Sequence, residues 1–226
     1  MINTKQQLLN LFDQNYEFSN FISLGNEITV ASLQNFAHQF CHIYGSNNSG
    51  KSHLLKSWIN LANQKYNAGL YLTNMDLSEI SINDIDLDTY RFIAIDNVDL
   101  ANELEQVAIF DLFNKIRLAN RDNYLLTSSI QNLNNTNIRE DLKTRLHSGI
   151  VFALKSMSEE DLLHALQIYT KCEQVKISDN ALKYLLTHHS RNLGELTSAI
   201  HHISLIATQS KSAITSTLIK NTLNLE

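Results

Sequence analysis

The 226-residue chain is 43% hydrophobic with a net charge of −5, so it can bury a core but is poorly suited to nonspecific DNA binding, which needs clustered lysine and arginine. No apolar stretch is long enough to cross a bilayer, and residues 1–6 lack the apolar core of a signal peptide, so we expect a cytoplasmic protein without a membrane partner. Cys41 and Cys172 show no metal-ligand spacing and are expected to be free thiols.

Up to about residue 156, short apolar segments alternate with helical patterns, which is typical of a parallel sheet covered by helices. We therefore predict an α/β fold with a five-stranded parallel sheet and helices on both faces, over residues 15–156. An amphipathic helix is predicted between the third and fourth strands, over residues 103–118. The predicted strands are residues 40–44, 68–72, 92–95, 124–127 and 150–154.

After residue 156 the strand signals stop, and residues 157–226 predict a small all-helical lid domain. Ser158, followed by three acidic residues, indicates a capped helix start. Ser178 opens a second predicted helix that runs to Leu186. Two more helices are predicted over residues 193–207 and 216–225.

The segment GSNNSGKS matches the phosphate-binding pattern G-x-x-x-x-G-K-[ST], and it lies between an apolar strand and a helix, as that motif requires. Backbone N–H groups of such a loop cradle phosphate oxygens at the positive end of the helix. Lys51 is expected at the β- and γ-phosphates, and the Ser52 hydroxyl at Mg²⁺. The alternative is a turn rich in small polar residues, which the strand–loop–helix context disfavours. The candidate nucleotide-binding residues are Gly45, Ser46, Asn47, Asn48, Ser49, Gly50, Lys51 and Ser52.

A second nucleotide signature is FIAID, in which a buried strand ends at Asp96. In the presence of a phosphate-binding loop, Asp96 is expected to hold Mg²⁺ through water, although alone it would be read as a turn residue. The next residue, Asn97, is a neutral amide that positions water but cannot accept its proton, and Asp99 need not face the site. We therefore expect nucleotide binding to be better developed than intrinsic ATP hydrolysis.

The fourth predicted strand ends in hydroxyl residues that are candidates to sense the γ-phosphate. Thr127 and Ser128 both fit, and we assign Thr127 to the cofactor-binding set. The alternative, that these hydroxyls only cap the end of the strand, stays open at this point.

In the order of these motifs the chain resembles the AAA+ domains of the DnaA/Hda family, from about residue 6 to residue 225. Residues 16–21 resemble the family segment beside the adenine pocket, which adds Phe21 to the nucleotide-binding set. The strings IDN at residues 95–97 and AIFDLFN at 108–114 resemble the Hda branch, which switches off the replication initiator DnaA. The resemblance implies bound ADP or ATP with Mg²⁺.

The resemblance also gives two later positions a meaning. Arg145, in the segment LKTRL, matches the family's arginine finger, which acts in trans on the γ-phosphate held by a neighbouring subunit; the alternative is a surface salt bridge. Gly194 stands where the family normally has a second, arginine sensor, and Arg191 lies on another side of that helix. This departure, like Asn97, predicts weak intrinsic ATPase activity.

Residues 1–14 are predicted to form a flexible tail that carries a peptide for the β sliding clamp. The string QQLLNLF fits Q-x-x-L-x-L-F, with Gln6, Leu9, Leu11 and Phe12 as the contact residues. The alternative is an amphipathic first helix that packs Leu8, Leu11 and Phe12 onto the domain. In front of a domain that resembles Hda, the clamp peptide is favoured.

The resemblance therefore predicts a negative regulator of DNA replication initiation. Its expected partners are the β sliding clamp, DnaA and, through the clamp, DNA, and homo-oligomer formation is left open. The alternatives are a DnaA-like loader or adaptor and an independent ATPase, neither of which uses the clamp. The histidine pairs at 188–189 and 201–202 are interpreted as surface or lid-packing residues, because no cysteine or carboxylate cluster accompanies them.

Overall fold

A computed structural model describes residues 16–73, 76–77, 85–119 and 122–224. Chain contacts divide the protein between Ser156 and Met157 into two compact units. The strands are β1 Phe40–Tyr44, β2 Gly69–Leu72, β3 Phe92–Ile95, β4 Tyr124–Ser129 and β5 Ile150–Ala153. The helices are α1 Glu27–Gln34, α2 Lys51–Tyr66, α3 Glu103–Leu118, α4 Glu140–His147, α5 Glu159–Cys172, α6 Asp179–His188, α7 Leu193–Ser210 and α8 Ser216–Leu223.

The five strands form one parallel sheet in the order β2-β3-β4-β1-β5. In this order Ile95 of β3 lies beside Thr127 of β4, and Tyr44 of β1 lies beside Ser129 of β4. The segments that follow β1, β3 and β4 therefore meet at one edge of the sheet, the edge at which parallel α/β sheets bind ligands. The predicted α/β class and the five parallel strands are confirmed.

Helices cover both faces of the sheet through two separate apolar clusters. On one face α3 packs its buried side chains against β3 and β4; these are Ile109, Leu112, Phe113 and Ile116. On the other face α2 buries Leu54, Leu55, Trp58, Ile59 and Ala62 against the same sheet. Phe110 is only partly buried at the border of the α3 cluster, whereas the neighbouring Ile109 is fully buried in it.

The second unit consists of α5 to α8 in its described part, residues 157–224. Each of these helices begins at a side-chain cap, in which an oxygen of Ser158, Ser178, Asn192 or Thr215 accepts a backbone N–H of the first turn. Its buried side chains are mostly leucine, isoleucine and alanine, and the ring of Tyr169 is fully buried. Its role as a lid remains a prediction. No helix in the described ranges is both long and apolar enough to span a membrane.

Candidate nucleotide-binding site

The loop between β1 and α2 is tightly folded at its two glycines. Gly50 has a φ of +89°, and a Cβ there would lie 2.5 Å from the ring carbon Cε2 of Phe21. A Cβ on Gly45 would lie 2.7 Å from Ser49 Oγ and 2.9 Å from the carbonyl oxygen of Leu154. Side chains are therefore excluded at both positions, for steric reasons at Gly45 and for steric and conformational reasons at Gly50.

The loop leads into α2, and the first turn of α2 has no side-chain cap. Gly50 occupies the cap position of α2 and offers no acceptor, whereas Asn102 at the start of α3 accepts the N–H groups of Leu104 and Glu105. The first backbone N–H groups of a helix have no partner inside the helix, and they carry its positive partial charge. Ser49 Oγ is also buried without a hydrogen-bond partner among the described residues. These uncompensated donors fit a phosphate group.

Lys51, the first residue of α2, is held against its own loop. Its Nζ donates to the carbonyl oxygens of Gly45 at 2.7 Å and Ser46 at 3.0 Å, and the side chain is only 6% exposed. Burial lowers the pKa of Lys51, and the nearby charges of Asp96 and Asp99 oppose this effect. The ammonium group thus lies in the loop beside two carboxylates.

Asp96 directly follows β3 and is 3% exposed. Its Oδ2 accepts a hydrogen bond from the Tyr71 hydroxyl at 2.8 Å, and its Oδ1 accepts one from the Ser128 hydroxyl. Ser128 Oγ in turn accepts the N–H of Asn97 at 2.9 Å. Within the described ranges no lysine, arginine or histidine forms a salt bridge with this carboxylate. A buried carboxylate whose hydrogen-bond donors in the described ranges are neutral hydroxyls, with only the Lys51 charge nearby, fits a bound cation such as Mg²⁺.

Ser128, rather than Thr127, places its hydroxyl at Asp96. Neighbouring residues of a strand point to opposite faces of a sheet, and Thr127 Oγ1 instead lies 2.8 Å from His42 Nδ1 in the fully buried interior. The sequence pattern allowed both hydroxyls as γ-phosphate sensors. The sensor role of Thr127 stays a prediction, and its hydroxyl already has His42 as a hydrogen-bond partner. Ser128 does more than cap the end of the strand, because its hydroxyl donates to Asp96.

His42 is a buried residue of this edge that the sequence did not single out. Ser129 Oγ donates to the carbonyl of Gln131 at 2.5 Å and therefore accepts from His42 Nε2 at 2.9 Å, which makes Nδ1 the acceptor for Thr127. Burial lowers the pKa of His42 to about 3, with a smaller contribution from His147. The ring is therefore neutral and ties β1 to β4 just before the phosphate-binding loop.

Asp99 lies two residues beyond Asn97 and faces the end of β4. Its Oδ2 accepts the N–H of Ile130 at 2.9 Å, and its Oδ1 is buried without a partner in the described part of the chain. Asn97 itself has a left-handed backbone, with a φ of +53°. A carboxylate is thus present near Lys51, although the residue directly after Asp96 is an amide.

The segment before α1 is fastened to the first turn of α2. His53 Nε2 lies 3.0 Å from both the carbonyl oxygen of Glu17 and the Oδ1 of Asn20. The Phe21 ring, 7% exposed, packs with its centroid 5.6 Å from that of His53 and against Gly50. Phe21 is therefore in contact with the phosphate-binding loop, and its predicted place beside an adenine ring stays a prediction.

Arg145 lies in α4 and is half-buried. Its guanidinium carbon is 5.6 Å from the centroid of the Phe110 ring, and the described chain gives it no acidic partner. The other two cationic residues of this region are both paired, Arg139 with Asp141 at 2.7 Å and Lys143 with Glu140 at 2.8 Å. The surface salt bridge that would explain Arg145 structurally is not among the described contacts.

In the second unit, Gly194 lies in the first turn of α7, where a Cβ would approach only Asn192 Oδ1, at 3.2 Å. Arg191 is exposed and lies 3.8 Å from Glu159. His201 and His202 are exposed, and the described residues contain no group of three potential metal ligands.

The predicted clamp-binding residues Gln6, Leu9, Leu11 and Phe12 lie outside the described residues.

Comparison with known proteins gives the class of the fold. No family model matches the chain. An uncharacterized protein of Haemophilus influenzae is 26% identical over 215 residues, which cover 91% of this chain and 92% of the relative. Domain III of DnaA from Thermotoga maritima matches with a TM-score of 0.73 at 18% identity, covering 94% of this chain and 97% of that domain.

A second solved structure, AMPPCP-bound DnaA from Aquifex aeolicus, matches with a TM-score of 0.67 at 20% identity. The match covers 88% of this chain and 70% of that one. The chain therefore has the fold of these DnaA domains.

Proposed function

We propose that this chain is an adenine-nucleotide-binding regulator of replication initiation of the Hda kind, which stimulates hydrolysis of ATP bound to DnaA. The observation that carries the proposal is Arg145, half-buried against Phe110, without an acidic partner among the described residues, and flanked by cations that are paired. In this proposal Gln6, Leu9, Leu11 and Phe12 attach the chain to a β sliding clamp on DNA. DnaA thereby passes from its ATP form to its ADP form, and re-initiation is suppressed.

The nucleotide part of the proposal is supported by the loop at residues 45–52. Its uncapped helix start, its two constrained glycines and the buried Lys51 form a cradle that suits the phosphates of ADP or ATP. The similar fold of an AMPPCP-bound DnaA points the same way. Ser52 and Asp96 are the residues that would hold Mg²⁺, which neutralises phosphate charge when bound.

The chain's own nucleotide is proposed to be a resident ligand that is hydrolysed slowly. Asn97 offers no carboxylate directly after Asp96, and its backbone N–H is bound to Ser128. Gly194 has no side chain, so it cannot supply the positive charge of the family's second sensor. Both features are tolerated by a protein that acts on a nucleotide held by another subunit.

The chemistry proposed for Arg145 is stabilisation of phosphate charge on DnaA. A guanidinium group stays charged at all physiological pH values, and its planar fork matches two phosphate oxygens at once. Fingers supplied in trans raise the rate of phosphoryl transfer by roughly 10³- to 10⁵-fold. The Phe110 ring stabilises the cation without neutralising it, which keeps the charge available.

The test is Arg145→Ala beside a matched control, Arg139→Ala, which removes the neighbouring arginine that is already paired with Asp141. Radiolabelled ATP is first bound to DnaA, and its conversion to ADP is followed after addition of the DNA-loaded clamp and each variant. We expect Arg145→Ala to lose the stimulation while it still binds the clamp, and Arg139→Ala to retain both. Stimulation by Arg145→Ala equal to that of the unaltered chain would reject the finger assignment.

The second candidate, an independent ATPase, is favoured by one observation. Asp99 carries a buried oxygen near Lys51 that has no partner among the described residues, and a carboxylate in such a place is able to orient a water molecule. Steady-state ATP turnover by the chain alone distinguishes the two. Appreciable turnover that Lys51→Ala abolishes would support the ATPase and count against a purely trans-acting role.

A further inference from the structure

Tyr71 is a contact of the nucleotide site that lies outside all of its sequence motifs. It is the third residue of β2, the edge strand, and pairs in register with Ala94 of β3. Its hydroxyl crosses to the end of β3 and donates to Asp96 Oδ2 at 2.8 Å. The interaction joins residues 25 positions apart in the chain, and it exists only because β2 and β3 are neighbours.

Tyr71 and Ser128 hold Asp96 from opposite sides. Tyr71 comes from β2 and Ser128 from β4, the two strands that flank β3 in the sheet. Each donates to a different oxygen of the Asp96 carboxylate. One donor on each oxygen fixes the plane of the carboxylate, and because each oxygen has about two acceptor sites, both still have capacity for a metal-bound water.

The phenol of Tyr71 acts as a donor in this contact at physiological pH. The two oxygens are 2.8 Å apart, and an ionised carboxylate only accepts hydrogen bonds, so the proton between them belongs to the phenol. The Tyr71 ring also packs against the apolar cluster under α2, and Lys56 Nζ lies 5.4 Å from its centroid. Tyr71 is therefore oriented by contacts apart from the one with Asp96.

We propose that Tyr71 is a positioning residue for Mg²⁺ at this site, acting through Asp96. This inference rests on the nucleotide-binding part of the proposed function and does not depend on DnaA or the clamp. Outer partners that orient a metal-binding carboxylate typically contribute about 10- to 100-fold to metal affinity. Loss of the Tyr71 hydroxyl is expected to weaken the support that Mg²⁺ gives to nucleotide binding, and to leave metal-free binding unchanged.

The experiment compares Tyr71→Phe with the unaltered chain by titration of a fluorescent ADP analogue, once with Mg²⁺ and once with EDTA. The ratio of the dissociation constant in EDTA to that in Mg²⁺ measures the support from the metal. We expect this ratio to fall by about 10-fold in Tyr71→Phe, with the EDTA value unchanged. The matched control is Tyr66→Phe, which removes a hydroxyl with no hydrogen-bond partner in the described ranges from a half-exposed ring. It should behave as the unaltered chain does.

A double-mutant cycle with Asp96→Asn separates positioning from general packing. If Tyr71 acts through the Asp96 carboxylate, Tyr71→Phe has no further effect on the Mg²⁺ ratio in the Asp96→Asn background. An unchanged ratio in Tyr71→Phe alone, or an equal loss of affinity in Mg²⁺ and in EDTA, would overturn the inference while leaving nucleotide binding in place. If the unaltered chain fails to bind ADP under either condition, both this inference and the nucleotide part of the proposed function are wrong.

Discussion

At the scale of single residues, the site is defined by buried polar and charged groups that lack a full set of hydrogen bonds or a salt-bridge partner among the described residues. Lys51 donates to the carbonyls of its own loop, Ser49 Oγ has no partner in the described chain, and Asp96 accepts from two hydroxyls but forms no salt bridge within the described ranges. Buried polar groups are normally paired, and each unpaired one costs free energy of about 1–3 kcal/mol. Their concentration at one edge of the sheet is why we interpret that edge as a ligand site.

The contact between Gly50 and Phe21 gives a prediction at this scale. Gly50→Ala adds a methyl group 2.5 Å from the Phe21 ring, on a backbone with a φ of +89°. The loop must shift, and we expect ADP affinity to fall by at least about 10-fold, the equivalent of 1.4 kcal/mol. Isothermal titration calorimetry with ADP measures the effect.

The control for that substitution is Gly25→Ala. Gly25 has a comparable left-handed backbone, with a φ of +73°, but its added Cβ would meet only the flexible side chain of Lys155. Both variants are expected to lose about 1 kcal/mol of unfolding free energy from backbone strain, and only Gly50→Ala should lose ADP affinity. Equal ADP affinities of the two variants would contradict the role given to the loop.

At the scale of secondary-structure elements, the sheet is tied together by side chains inside it as well as by its backbone. His42 of β1 bridges Thr127 and Ser129 of β4, directly before the loop that holds Lys51. This neutral bridge holds the strand that leads into the phosphate-binding loop against the strand that carries Ser128. The start of α2 and the end of β4 are thereby fixed relative to one another.

The His42 bridge predicts a pH dependence of stability. The pKa of His42 is about 3 in the folded chain, against an ordinary value of 6.5, so the unfolded chain binds the extra proton first as the pH falls. The contribution of His42 to stability is therefore complete above pH 6.5 and declines toward pH 3. Between pH 7 and pH 5 the loss is about 2 kcal/mol of unfolding free energy.

The measurement is urea unfolding at pH 7 and pH 5. His42→Gln keeps a donor and an acceptor but cannot titrate, so it should lose about 2 kcal/mol less than the unaltered chain over this interval. His202→Gln removes an exposed histidine of α7 and should keep the full dependence. If His42→Gln and the unaltered chain lose stability equally, the buried neutral histidine is not the cause.

At the scale of the whole molecule, most of the fold could be predicted from the sequence. Of the site, only the motifs made of consecutive residues could be predicted. Apolar runs between turn signals predicted five strands, and the fold has them. The inner strands β1, β3 and β4 bury side chains under α2 or α3, while the edge strands β2 and β5 are only partly buried. Strand order is not written in any local pattern. The contacts of Tyr71 with Asp96 and of His42 with Thr127, 25 and 85 residues apart, therefore could not be read from the motifs.

The same limit explains the candidates at the end of β4. The sequence placed hydroxyls at residues 127–129 but gave no way to tell which face of the sheet each one occupies. The register with β3 and β1 decides it, and it sends Thr127 to His42 and Ser128 to Asp96. Arg145 was accessible through its resemblance to the DnaA/Hda family, but its contact with Phe110 depends on how α3 and α4 pack.

One measurement tests directly whether the chain acts on DnaA-bound ATP from a clamp on DNA, as we propose. DnaA loaded with labelled ATP is mixed with DNA-loaded clamp and either the unaltered chain or a Leu11→Ala/Phe12→Ala variant, and ADP formation is followed. We predict strong stimulation by the unaltered chain and little by the variant, with full activity dependent on the clamp. No stimulation by the unaltered chain, or equal stimulation by both proteins, would contradict the proposed function.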